Sequence, residues 1–145
     1  MPIEEVESTA EDIEAMEIRG AATIADAAAA ALGTQAEASE ATDPYAFEAK
    51  MRQAARELYE TRPTAVSLPN ALRYVLQAMD GETVAEKRAS ILSASERFRS
   101  DLEHAQERLG RIGANRLRDG DVIMTHCHST DALATVEHAV EDGKH

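Results

Sequence analysis

The longest regular pattern in this chain is TVAEKRASILSASERFRSDLEHAQERLGRI, residues 83–112. It begins with Thr83 and Glu86, which form the capping-box pattern found at many helix starts. Apolar side chains then recur every seven residues, as one face of a helix about eight turns long requires. Arg88 and Ser95 stand where a two-stranded coiled coil needs apolar residues. The segment therefore predicts one long helix that packs in a core or between subunits.

The rest of the chain also favours helices. Aromatic residues make up 3% of the 145 residues, so the core must be built from aliphatic side chains and alanine, the best helix former. Asp43-Pro44 and Ser67 are suitable starts for two further helices. An earlier helix is expected to break near Gly20 and to end at Gly33, before a small, polar linker at residues 34–42. We predict a mainly α fold.

The charge of the chain limits its partners and its location. A net charge of −12 repels nucleic acid, which is bound by clustered lysine and arginine. Three lysines against twelve arginines and an excess of carboxylates favour a salt-rich cytoplasm, with an ordinary acidic protein as the alternative. No apolar run is long enough to span a membrane, the amino terminus does not resemble a secretory signal, and a single cysteine suits a reducing compartment. We expect a cytoplasmic protein.

The pattern changes in DGDVIMTHCHST, residues 119–130. The apolar run at 122–124 is too short for a helix and fits a strand covered on both faces, and residues 131–140 fit a helix. Strand, turn and helix form the first unit of a doubly wound α/β domain. We therefore predict a helical domain at 1–116 and the first β-α unit of an incomplete Rossmann-like domain at 117–145.

Cys127, the only cysteine, lies between His126 and His128. On a strand the two histidines would point away from the cysteine, so a shared metal ion is disfavoured and we expect no metal. A thiol before a helix start can be a reactive thiolate. A lone cysteine is equally often a buried, inert core residue, and the sequence pattern leaves these two alternatives open.

Three other groups are candidates for binding an anion. Arg19-Gly20-Ala21-Ala22 combines a forked donor with small residues that let backbone amides approach a ligand, although a helix break on the surface looks the same. Arg62 precedes Pro63, so a rigid loop could present its guanidinium to an anion. It could equally be a solvated loop residue. Ser129 and Thr130 offer hydroxyls and amides at a helix start, where simple capping is the alternative.

Three segments together resemble one known family: EIRGAA (17–22), TRPTAVSLPNAL (61–72) and IGANRLRDGDVIMTHCHST (112–130). It is the family of sugar-phosphate isomerases and translation initiation factor 2B regulatory subunits, in which a helical domain precedes a Rossmann-like domain. The letters THCHS are similar to the archaeal ribose 1,5-bisphosphate isomerases. Methylthioribose-1-phosphate isomerases typically have RGAPAIG where this chain has RGAATIA.

The resemblance implies an aldose-ketose isomerisation of ribose 1,5-bisphosphate to ribulose 1,5-bisphosphate in archaeal AMP degradation, without a cofactor and in a homo-oligomer. It implies that Cys127 moves protons as an acid or base. The residues at the positions that hold substrate phosphates and hydroxyls in the family are Arg19, Gly20, Ala21, Ala22, Arg62, Ser129, Thr130 and Asp131.

One feature of the family is missing from this chain. The family's catalytic aspartate follows later in the Rossmann-like domain, and Asp131 does not match it. The resemblance therefore implies that the 145-residue chain alone is inactive as a truncated isomerase. The alternative is a regulatory or interaction protein of the initiation-factor branch, which would use its helical domain to bind a partner.

Overall fold

All regular elements among the residues that the structure describes are helices. The structure, a computed structural model, describes residues 1–127 and 129–145. Its helices are α1 (Glu4–Glu14), α2 (Ala21–Ala38), α3 (Pro44–Thr61), α4 (Ser67–Gln77), α5 (Val84–Ala114) and α6 (Thr130–Glu141). The prediction of a mainly α fold is confirmed.

The chain divides into two compact units, residues 1–99 and 100–145, and α5 contributes residues to both. In the first unit, α2 packs against α1, α3 and α4. Most of the buried residues of α2 are alanines, and such small side chains let neighbouring helices pack closely. The large, fully buried side chains around them include Ile13, Leu32, Phe47, Met51, Leu58, Leu68 and Ile91.

The predicted start of the long helix is confirmed. The Glu86 amide donates to Thr83 Oγ1 at 3.2 Å, and the Thr83 amide donates to Glu86 Oε2 at 2.9 Å. The Thr83 backbone and hydroxyl, together with the Glu82 amide, hold the pKa of the Glu86 carboxyl below its usual value. The expected apolar stripe is only partly used: Ile91 is buried, whereas Leu109 and Ile112 are exposed.

The predicted break before α2 is confirmed, and two residues with positive φ surround it. α1 ends in a Schellman motif, in which the Glu17 amide donates to the Asp12 carbonyl at 2.9 Å. Met16 occupies the position that usually carries glycine, with a φ of 63°. Gly20 then has a φ of 92° and a ψ of 141°, a conformation open to glycine alone, and α2 begins at Ala21.

Two expected boundaries are wrong. α2 does not end at Gly33 but continues to Ala38. Gly33 is buried, and a β-carbon there would lie 3.0 Å from Ser95 Oγ. Glycine therefore lets α2 and α5 approach closely here, and a side chain at this position would push against Ser95. Ser67 is the first residue of α4 rather than its cap, because Val66 holds the cap position without a side-chain hydrogen bond.

In the second unit, the end of α5 packs on α6 through two glycines. A β-carbon on Gly113 would lie 2.5 Å from Thr135 Oγ1, and one on Gly110 would lie 2.8 Å from His138 Nδ1. The side chains of Thr135 and His138 on α6 therefore occupy the space that the two glycines of α5 leave open. The Ala114 carbonyl at the end of α5 accepts the Lys144 ammonium at 2.6 Å and the Leu117 amide at 3.1 Å, so it is satisfied beyond the last helical turn.

The predicted strand is not formed. Within residues 1–127 and 129–145 the backbone has no strand pairing, and Val122 and Met124 are 99% and 95% exposed. A strand exists only through hydrogen bonds to a neighbouring strand, which the described residues do not supply. The predicted β-α unit is therefore wrong in its strand, whereas its helix is α6. The predicted domain boundary at 116/117 stays a prediction.

None of the helices in the described parts of the chain combines the length and the apolar character that crossing a bilayer needs.

Candidate functional site

The first predicted anion-binding group lies at the start of α2. Arg19 and Gly20 are exposed, and Ala21 and Ala22 form the first helical residues. Gly20 is the N-cap and offers no capping side chain, and the first turn contains no acidic residue. The free amides of a helix start carry partial positive charge. This helix start therefore presents uncapped donors beside an exposed guanidinium, an arrangement that suits an anion.

Arg62 lies in the same unit, directly after α3. It is the half-buried C-cap of that helix, with a φ of −147° and a ψ of 70°. Its carbonyl accepts a hydrogen bond from the Ala65 amide at 3.0 Å, which closes a turn containing Pro63. The turn and the proline ring fix the backbone from which the guanidinium extends.

Cys127 lies in the second unit, in the segment that leads into α6. It is exposed and has a φ of 65°, which is uncommon for a residue with a side chain. The alternative that Cys127 is buried is wrong, because the residue is open to solvent. Its reactivity stays a prediction.

Three of the predicted residues line one cavity of about 150 Å³ in this unit. The lining residues are Thr125, Cys127, Ser129, Thr130, Ala132, Leu133 and Val136. Ser129 caps α6 by accepting the Ala132 amide at 3.3 Å on its hydroxyl. The capping alternative is thus realised for Ser129 while the same residue also faces the cavity.

Asp131 is not part of this lining. It lies exposed in the first turn of α6, and its carbonyl accepts the Thr135 hydroxyl at 3.1 Å.

The apolar wall of the cavity was not predicted from the sequence. Leu133 and Val136 belong to one face of a helical pattern, and such a face is ordinarily assigned to packing.

The expectation that no metal is bound stays a prediction from the alternation and the number of the candidate ligands. His128 lies outside the described residues. Among the residues that are described, no three His, Cys, Asp or Glu side chains gather closely enough to hold an ion.

The family model described as Initiation factor 2 subunit family matches residues 17–145. Two curated relatives are named ribose 1,5-bisphosphate isomerase. The one from Haloterrigena turkmenica is 71% identical over 95% of this chain, and the one from Haloferax volcanii is 65% identical over 97%. The chain spans 42% and 44% of the length of these two relatives.

A solved structure has a similar fold. It is the translation initiation factor eIF-2B subunit delta from A. fulgidus, with a TM-score of 0.75 and 33% identity over 96% of this chain and 44% of its own. The match of the family model over most of the chain, together with this fold, leads to one conclusion. The chain belongs to the Initiation factor 2 subunit family.

Proposed function

We propose that this chain serves in a ribose 1,5-bisphosphate isomerase, an aldose-ketose isomerase that forms ribulose 1,5-bisphosphate. The observation that carries the proposal is the 71% identity to a relative of that name over 95% of this chain. The chain keeps both the Arg19-Gly20-Ala21-Ala22 segment and Cys127, which a protein with only a scaffolding role does not need.

The substrate class suits the charge pattern of the candidate residues. A sugar bisphosphate carries two strongly anionic groups, and a helix start or an arginine can bind each of them. We assign phosphate and hydroxyl binding to Arg19-Gly20-Ala21-Ala22 and Arg62 in the first unit. In the second unit we assign it to Ser129 and Thr130. Asp131 is included through the family resemblance alone.

Cys127 is proposed to transfer the proton. Isomerisation requires that one carbon lose a proton and that its neighbour gain one, so an acid or base must reach the sugar carbons. The exposed thiol shares its cavity with the hydroxyls of Ser129 and Thr130 and with the apolar side chains of Leu133 and Val136. Hydroxyls can orient a sugar, and apolar walls exclude competing water.

The 145-residue chain by itself is expected to show no turnover. It spans less than half of the relatives' length, and the resemblance implies a catalytic aspartate that this chain does not contain. Formation of ribulose 1,5-bisphosphate by the purified chain, measured in a coupled assay, would contradict this expectation.

Ligand binding tests the proposal without requiring turnover. Ribose 1,5-bisphosphate should raise the melting temperature of the chain by a few degrees, because a ligand that binds only the folded state stabilises it. Ribose 5-phosphate, which lacks one phosphate, should act more weakly. Arg62→Gln should reduce the shift, whereas Arg73→Gln, a change at an exposed residue of α4, should leave it unchanged. Equal shifts in these two variants would remove Arg62 from the proposal.

A regulatory or interaction role is the second candidate, favoured by the fold shared with an initiation factor subunit. A protein of this kind would be stabilised by an initiation factor and not by the sugar bisphosphate. Measuring both shifts on the same sample therefore separates the two functions.

The cellular setting is part of the proposal. Two relatives come from halophilic archaea, which supports the interpretation of the acidic, lysine-poor composition as adaptation to salt. A cytoplasmic location, a place in AMP degradation and a homo-oligomeric state go with the isomerase assignment. Sedimentation at several protein concentrations tests the last of these.

A further inference from the structure

Helix α2 carries a carboxylate near the end that is assigned to phosphate binding. Its sequence, AATIADAAAAALGTQAEA, contains no basic residue, and Asp26 is its first acidic one. At 1.5 Å per residue, Asp26 lies about 9 Å along the helix from Gly20. A free negative charge at that distance would weaken the attraction between the helix start and an anion.

A single arginine from α5 meets this carboxylate. Arg99 Nε donates to Asp26 Oδ1 at 2.9 Å, and Arg99 Nη2 donates to Oδ2 at 3.3 Å. This is the bidentate geometry that suits a guanidinium and a carboxylate. The hydrogen bond to Asp26 raises the pKa of Arg99 above its usual value.

Other contacts already fix α2 against α5. Ser95 Oγ donates to the Ala29 carbonyl at 2.6 Å in a buried position. Arg88 donates to the carbonyl of Ala36 at 2.9 Å and to that of Ser39 at 2.6 Å. The Arg99–Asp26 pair is half exposed, and exposed ion pairs add little to stability. The packing of α2 therefore does not depend on this pair.

We propose that Arg99 is a positioning residue for substrate charge: it cancels the carboxylate of Asp26, so that the start of α2 at Arg19-Gly20-Ala21-Ala22 can accept a substrate phosphate. The inference rests on the proposed function, which assigns a phosphate to this helix start. In a chain with a net charge of −12, an uncompensated carboxylate near this place would add to a repulsion that already opposes anionic ligands.

Charge variants give the test, because electrostatic and structural roles predict different signs. The ¹⁵N-labelled chain is titrated with ribose 1,5-bisphosphate, and in parallel with inorganic phosphate, while the amides of Gly20 and Ala21 are followed by NMR. Arg99→Gln should weaken binding about two- to fivefold, by the Coulomb interaction at about 10 Å in a watery medium. Asp26→Asn should strengthen binding by a similar factor, and the double variant should return to the wild-type value.

Salt provides a second reading of the same variants. The differences between them should shrink as sodium chloride is raised from the lowest concentration at which the circular dichroism spectrum stays native, because exposed charges are screened. If both single variants weaken binding, or if none changes it, the role of Arg99 is overturned while the phosphate assignment stands. If neither ligand perturbs Gly20 or Ala21 in the wild-type chain, the phosphate assignment fails, and the role of Arg99 fails with it.

Discussion

The starts of α2 and α6 differ in how their free backbone amides are satisfied. α2 begins after Gly20 with no capping side chain and no acidic residue in its first turn. α6 begins after Ser129, whose hydroxyl accepts the Ala132 amide, and has Asp131 in its first turn. The partial positive charge at the start of α2 is thus not compensated by the helix's own side chains. At the start of α6 the Ser129 hydroxyl and the Asp131 carboxylate compensate part of it. The α2 start is therefore the stronger of the two candidates for binding a phosphate, because the Ser129 hydroxyl is already engaged as a cap.

The largest effect is expected at the open helix start. Gly20→Val should lower the free energy of unfolding by about 2–3 kcal/mol, because a β-branched residue is strained at a φ of 92°. A β-carbon there would have space, since its nearest neighbour is Thr23 Oγ1 at 3.7 Å. The loss would therefore come from the backbone, and urea denaturation at constant salt measures it.

A control variant at the next residue shows whether the loss comes from the conformation of Gly20 or from any change at this helix start. Ala21→Ser lies one residue further on, inside α2, and should change the stability by less than about 0.5 kcal/mol. A similar loss in both variants would show that the conformation of Gly20 is not what limits this position.

The capped helix start should respond to the loss of its hydroxyl. Ser129→Ala removes the bond to the Ala132 amide and should cost about 1 kcal/mol, as for other N-caps. Ser129→Asp keeps an acceptor and should restore most of the loss. If alanine and aspartate behave alike in urea denaturation, α6 does not depend on its cap.

Cys127, two residues before the capping Ser129, has a smaller backbone strain than a valine at position 20 would have. Cys127→Gly should raise the free energy of unfolding by about 0.5–1 kcal/mol, because glycine adopts a φ of 65° without cost. Cys127→Ala removes the thiol but keeps the β-carbon, so it should leave stability nearly unchanged. A gain in the alanine variant would assign the effect to the sulfur rather than to the backbone.

The helix starts that the sequence predicted correctly depend on hydrogen bonds between residues close together in the chain. The cap at Asp43, whose carboxylate accepts the Ala46 amide at 2.7 Å, and the Thr83–Glu86 box involve residues three apart. The role of Gly33 depends on Ser95, 62 positions away, so a local pattern of glycine after a helix was misleading. The strand at 122–124 failed for a similar reason, since pairing depends on strands that the described residues do not contain.

The candidate site shows the same division. Short motifs predicted Cys127, Ser129 and Thr130, which the structure brings to one cavity. The apolar wall was not foreseen, because Leu133 and Val136 look like core residues in a helical pattern. Exposure of the thiol was also open in the sequence, since burial depends on what covers the residue after folding.

The smallest effect concerns a third helix start, that of α5, which is capped in both directions. Its hydrogen bonds with Thr83 and the Glu82 amide keep the pKa of Glu86 below the ordinary 4.5. The stabilisation is therefore complete above pH 4.5 and is lost as the pH falls through the lowered pKa of the folded state. The difference in unfolding free energy between wild type and Glu86→Gln should be constant near neutral pH and shrink below about pH 4.5. The lowered pKa of Glu48 is present in both proteins, so its contribution cancels in this difference.

Urea denaturation at pH 7 and from pH 5 to 3 measures the difference in unfolding free energy. A constant value throughout would mean that the charge of Glu86 does not strengthen the cap.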